Sequence, residues 1–299
     1  MADSYIDSLQ SYFCSFESRI GYRLILGGTR HCGYYPTGAK WPFPISRALR
    51  EMENHLFKSL NLSAGAIVLD AGCGIGHVAI YMAKKGLRVI GIDIIDHHLT
   101  KAKRNIKAAN REQQISIRKM DYHCLDQLPS NSFDGVYTME TLVHATDPEL
   151  VLRQFYQVLK PGGSVALHEY DFKFSNAPKY LMDAMNKINT FASMPANKGF
   201  NQGALSRMLE DAGFQNIKVQ DLSHNIEPMF RLFFTIAYLP FLIIRFFSLE
   251  RWFINTVSGV EGFRGRKFWR YIVVTCTKPD NMVKNRSLDI SDMVEDENA

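Results

Sequence analysis

The chain has 299 residues, 46% of them hydrophobic, enough for one large α/β domain or one such domain with an insertion. A net charge of +5 comes from scattered lysines and arginines with no long basic run, which argues against a nucleic-acid partner. Five cysteines (Cys14, Cys32, Cys73, Cys124, Cys276) lie apart without a C-x-x-C pair, as suits reduced thiols in a cytosolic compartment. Asp3, Asp7 and Glu17 interrupt the N-terminus, so neither a signal peptide nor a transit peptide is expected.

Residues 4–20 read as one amphipathic helix, with Tyr5, Ile6, Leu9, Tyr12, Phe13, Phe16 and Ile20 at three-to-four spacing. A Gly/Pro-rich segment spans 27–44, and a second helix covers 45–60. Residues 1–60 are therefore expected to form a helical cap ahead of a domain at 61–278. Strands then alternate with helices: strands at 66–70, 88–93, 115–120, 133–138 and 164–169, helices at 76–85, 98–110 and 148–159. Further helices are predicted near 179–190 and 202–212, and the last two strands at 217–221 and 271–277. This order predicts an α/β, Rossmann-like, seven-stranded and mostly parallel sheet, with N-terminal helices and an apolar helical insertion before the last strand.

The insertion, at about 226–268, is far longer than a hairpin loop. Its apolar stretch between Arg231 and Arg245 has 13 residues and is interrupted by Pro240, whereas a spanning helix needs about 20. Either a helical pair closing on the core or a greasy lid with peripheral membrane contact fits it. Arg231, Arg245, Arg251, Arg264, Arg266 and Lys267 flank it with few acids, as suits a headgroup surface. The polar, acidic tail at 279–299 is expected to be disordered.

The cofactor signal is the run Val68-Leu69-Asp70-Ala71-Gly72-Cys73-Gly74-Ile75-Gly76. It is a buried-strand pattern that ends in an acid and turns through glycines into a helix N-terminus. A dinucleotide fingerprint, G-x-G-x-x-G, would place its third glycine at His77; here it comes one residue early, at Gly76. Asp93 and Ile94 end the second strand, where a carboxylate accepts ribose hydroxyls. Asp121 and Tyr122 end the third strand, beside an adenine; Met139 and Glu140 end the fourth. The G-x-G-x-G spacing resembles motif I of class I S-adenosylmethionine (SAM) methyltransferases, and an NAD oxidoreductase is the minor alternative.

Residues 133–163 hold Tyr137, Glu140 and His144 in a Tyr-x-x-Glu-x-x-x-His-Ala frame, followed by Leu159-Lys160-Pro161-Gly162-Gly163. This resembles the sterol side-chain methyltransferases. His31-x-Gly33-Tyr34 is similar to the aromatic segment ahead of motif I in that family and in cyclopropane synthases. The sequence at 34–42 departs from the sterol signature, so the expected acceptor is another lipophilic small molecule: a terpenoid, meroterpenoid or polyketide of secondary metabolism. The resemblance implies SAM as cofactor and carbon or oxygen methylation; the scattered cysteines and the apolar insertion lead to an expected localisation in the cytoplasm or peripheral to the endoplasmic reticulum or lipid surfaces.

Tyr34 and Tyr35 are candidates to line the methionyl end of SAM, Tyr35 also as a catalytic residue. If helical, Glu140 and His144 share a face at i, i+4 and form one acid/base unit. His168 and Glu169 are candidate substrate contacts, and His97-His98 reads as the start of an exposed helix rather than a metal site. A nucleic-acid or protein methyltransferase, or a non-catalytic SAM-binding partner protein, are the competing functions.

Overall fold

Seven strands pair in the order β3-β2-β1-β4-β5-β7-β6. They are β1 Ile67–Ala71, β2 Arg88–Asp93, β3 Ile115–Lys119, β4 Phe133–Met139, β5 Leu159–Phe172, β6 Gln215–Asp221 and β7 Trp269–Thr277. All neighbouring pairs are parallel except those made by β7, which runs antiparallel to both β5 and β6. The computed structural model describes residues 2–173 and 176–280. The tail expected to be disordered lies, from residue 281 on, outside them.

The central strands are apolar because helices cover both faces. Val68, Leu69, Val136, Tyr137, Val165 and Leu167 are fully buried. The connecting helices are α4 His77–Lys84, α5 Asp96–Ala108 and α6 Pro148–Val158. Helix α6 begins at Asp147, whose side chain accepts from Leu150 N, with a proline in its first turn. The strand order reverses between β1 and β4, which opens a crevice at their carboxyl ends.

Three regions differ from the sequence expectation. The N-terminal segment is two helices, α1 Ala2–Cys14 and α2 Phe16–Leu26, broken where the Ser15 side chain accepts from Ser18 N. Both cross the crevice. The next helix, α3 Ile45–Leu60, instead buries Met52, Leu56 and Leu60 in the core, so it belongs to the domain rather than to a cap. After α7 Lys179–Phe191 and α8 Ala204–Asp211, the insertion forms α9 Ser223–Phe246 and α10 Ile254–Arg264. Helix α9 runs through both Pro228 and Pro240. Pro240 is exposed, so water can satisfy the carbonyl one turn earlier that its missing N–H leaves unpaired.

Phe155 of α6 is completely buried against this core. Phe155→Ala should lower unfolding stability by about 3–5 kcal/mol, read as a shifted denaturant midpoint.

Candidate functional site

The crevice is a cavity of about 260 Å³. Its floor is the β1–α4 turn, held to β2 by three successive amides. Gly72 N and Cys73 N both donate to the Ile92 carbonyl at 2.9 Å, and Gly74 N donates to Asp93 Oδ2 at 2.9 Å. The other Asp93 oxygen accepts from Ile95 N at 2.8 Å, so the carboxylate is fixed before any ligand arrives. Gly72 has φ +92, and a Cβ there would sit 2.7 Å from Thr141 Cβ. No side chain fits between the turn and the end of β4.

Asp70, Gly72, Gly74, Asp93, Ile94, Asp121, Tyr122, Met139, Glu140 and His144 all line the cavity. Asp121 accepts from both His123 N and His123 Nδ1; burial opposes its ionisation, but those bonds outweigh it and hold the carboxyl below its usual range. Tyr122 donates to the Thr141 carbonyl at 3.1 Å. Asp70 is buried, and its Oδ2 has no hydrogen-bond partner. Burial and then the nearby Asp93 charge push it up to about 7, with the Tyr137 hydroxyl opposing.

These features fit SAM. Asp93 would hold the ribose, Asp121 and Tyr122 the adenine, and the orphaned Asp70 oxygen the ammonium group. Gly76 serves packing instead. It does not line the cavity, and its Cβ would meet Ala102 Cβ at 3.3 Å, so it is where α4 closes on α5.

Glu140 and His144 reach the cavity but do not form a unit. Glu140 sits at φ +57, outside any helix, and only Leu142–His144 make a short 3-10 turn. The Glu140 carboxylate accepts from Cys32 N at 2.7 Å, Tyr170 hydroxyl at 2.7 Å and Tyr271 hydroxyl at 2.9 Å. His144 Nδ1 lies 2.7 Å from the Ser193 carbonyl and can only donate to it, which leaves Nε2 as an acceptor. Burial pushes His144 down to about 4, so it is neutral at pH 7.

Four expected contacts lie elsewhere. Tyr34 stacks on His55 at 5.4 Å, and the Tyr35 hydroxyl donates to the Pro42 carbonyl at 2.9 Å. Their amides are tied to Ala48 and Asn225, which turns both rings away from the cavity and into the packing. His168 is buried edge-on to His55 within the packing. Glu169 supports the site from behind: its Oε1 accepts from Thr138 hydroxyl, Thr141 N and Leu142 N and so fixes the exit of β4. Burial pushes Glu169 up to about 8. The helix start at His97-His98 is not exposed either, since His98 is buried, lines the cavity and lies 3.3 Å from Asp93 Oδ2.

The sequence predicts a helical cap at residues 1–60 but does not single out which of its side chains line the site. Tyr5, Leu9, Tyr12 and Phe13 of α1 close the cavity; the Tyr5 hydroxyl donates to the His144 carbonyl, and Phe13 packs 5.2 Å from the His144 ring. Arg30 also lines it, its guanidinium 4.8 Å from the ring centres of both Phe13 and Tyr22 and its NH1 buried without a partner. The amphipathic pattern at 4–20 marks an apolar face but not the surface it covers.

Gly72→Ala should abolish SAM binding measured by calorimetry while the protein stays folded, because strained backbone and a clash with Thr141 coincide there. SAM affinity should also depend on pH. An ammonium ligand needs Asp70 ionised, so below pH 7 binding must expel a proton, and affinity should rise by up to about tenfold per pH unit before levelling above pH 7. Asp70→Asn should flatten that profile.

A family profile described as a methyltransferase domain matches residues 69–167. The chain is 44% identical over 277 residues to an S-adenosyl-L-methionine-dependent Diels-Alderase, iccD, of Talaromyces variabilis, covering 91% of this chain and 95% of that one. It is 32% identical over 203 residues to the sterol 24-C-methyltransferase ERG6 of Saccharomyces cerevisiae, covering 67% of this chain and 51% of that longer one. Among solved structures, the [4+2]-cyclase SpnF superposes with a TM-score of 0.71 at 20% identity, over 92% of this chain and 97% of that one. The chain belongs to the class I SAM-dependent methyltransferase family, with SAM as its cofactor.

Proposed function

We propose that this protein binds SAM without consuming it and folds a lipophilic polyene for an intramolecular [4+2] cycloaddition. The observation that carries this is the state of Glu140 and His144. Both face the cavity, yet Glu140 already accepts three protein donors, and burial holds His144 neutral against the opposing pull of the Ser193 carbonyl that takes its Nδ1 hydrogen. A carboxylate saturated by its own framework and a histidine whose pKa is pushed down, and whose basicity is weakened with it, suit confinement of a substrate more than proton transfer. The whole-length likeness to a Diels-Alderase supports the same assignment.

The chemistry asks little else. Six π electrons of a diene and a dienophile become two new C–C σ bonds and one new π bond, and no atom or proton leaves. The main cost is entropy, because a flexible chain must bring both ends together. Walls made by Leu9, Phe13, Ile188, Phe230 and Trp269 exclude water and hold the folded conformer. The unpaired Arg30 NH1 can donate to a carbonyl conjugated with the dienophile and draw electron density from it. SAM, when bound, supplies a fixed positive charge beside the same cavity.

Methyl transfer to a lipophilic acceptor is the second possibility. The intact cofactor edge from Asp70 to Glu140 and the similarity to a sterol 24-C-methyltransferase favour it. Product mass separates the two. Incubated with SAM and candidate polyenes, the enzyme should yield a product of unchanged mass, with no S-adenosylhomocysteine accumulating. A product heavier by one methylene, with stoichiometric S-adenosylhomocysteine, would establish methyl transfer instead. Arg30→Ala should slow turnover about tenfold or more through loss of the cavity donor, read as a fall in kcat.

A further inference from the structure

We propose that the far end of the α9–α10 hairpin docks on an anionic lipid surface. By length and composition α9 could cross a membrane, but Asn225, Ile226 and Met229 anchor its first turns in the core. The remainder, from Phe230 to Phe246, keeps Phe241 and Ile244 buried on one side and is about 24 Å of helix, short of a bilayer core of about 30 Å. That length suits a helix lying in the interface.

The projecting end carries an apolar surface larger than packing explains. Leu239 is 68% exposed, Ile243 55%, Phe246 81%, Phe247 62% and Trp252 68%. Leu239, Ile243 and Phe246 share one helix face, and Phe247 and Trp252 continue it through the turn. Helix α2 meets the same end: the Glu17 carboxylate accepts from Asn255 N and Thr256 N at the start of α10, and the preceding Phe16 is 73% exposed.

Cations rim the patch. Arg251 lies 5.8 Å from the Trp252 ring centre, Arg264 5.7 Å from Tyr238 and Arg266 4.3 Å from Phe263, with their heads over the aromatic rings. Between residues 228 and 267 the acids are Glu250 and Glu261, and both face cations already: Glu250 lies near Lys187 and Arg245, and the buried Glu261 pairs with Arg264. A greasy tip with Arg245 and Arg251 beside it, and Arg264 and Arg266 farther along the hairpin, matches acyl chains below phosphate headgroups. A second copy fits it poorly, since a two-fold contact would press Arg245, Arg251 and Arg266 against themselves.

The hairpin also lines the cavity along one side. Phe230 of α9 and Ile254, Asn255, Ser258 and Gly262 of α10 are part of its wall. Docking would therefore set the cavity's apolar side near a membrane in which a lipophilic substrate is dissolved. The docking itself is independent of the reaction and is read without substrate.

Flotation of the SAM-loaded full chain with phosphatidylcholine vesicles, with and without phosphatidylserine, tests this. The protein should float with the serine-containing vesicles and less with neutral ones, with a blue shift in Trp252 fluorescence that Trp252→Phe removes. Phe246→Glu with Phe247→Glu should cut the bound fraction about tenfold or more while SAM affinity is kept. Should that variant misfold, Arg245→Glu with Arg251→Glu gives the second readout, loss of the phosphatidylserine preference. Wild-type protein that stays unbound with both vesicles overturns the proposal. So does a wild-type dimer that ignores vesicles and that the double-glutamate variant makes monomeric.

Discussion

One half-buried carboxylate holds the site together. Glu140 leaves β4 in a left-handed conformation and accepts hydrogen bonds from the backbone of Cys32 and from Tyr170 on the adjacent β5 and Tyr271 on β7 beyond it. Charge-assisted bonds of this kind contribute about 1.5–3 kcal/mol each. The Cys32 bond matters most for architecture, because it fastens the segment after α2 to the sheet edge. Once residue 32 is fixed, Arg30 must enter the cavity, and α1 and α2 must pass over its mouth. The roof is thus positioned by an atom on the floor.

The electrostatics follow the same division. The cofactor edge keeps ionisable oxygens facing the crevice, at Asp70, Asp93 and Asp121. Asp70 keeps one oxygen unpaired, and burial together with the nearby Asp93 charge raises its pKa. Beneath the crevice, Glu169 is pushed up by burial, and it fixes the loop from Thr141 to Leu142. Across the cavity His144 stays neutral. Positive charge comes from Arg30, which stacks between two aromatic rings and so keeps its head within the apolar roof. Such a cavity strengthens fixed charges, and its one neutral histidine is a weakened base, a combination that suits shaping a substrate more than deprotonating it.

The sheet is legible in the sequence because buried parallel strands have few ways to be written. Apolar runs ending in Asp70, Asp93, Asp121 and Glu140 specify both the strand and the edge at which it ends. Side-chain direction is harder to read. Tyr34 and Tyr35 are aromatic and close to the cofactor turn in the chain, but their backbone bonds to Ala48 and Asn225 decide where the rings point, and those partners are distant in sequence. His168 and Glu169 lie on the expected strand but on the wrong side of the chemistry, since both stay within the packing. The spacing of Glu140 and His144 suggests a helical pair, which the positive φ of Glu140 precludes. Pro240 reads as a break because its solvent exposure, which lets the helix continue, is a tertiary property.

Amide hydrogen exchange along residues 2–35 tests the Glu140 fastening most directly. With Glu140 in place, the Cys32 amide and the α1–α2 roof should be protected, and Glu140→Ala should speed exchange throughout 2–35 while β1, β4 and β5 keep their protection. Equal exchange of that segment in both proteins would contradict the fastening, because the roof would then be held by something other than the carboxylate beneath it.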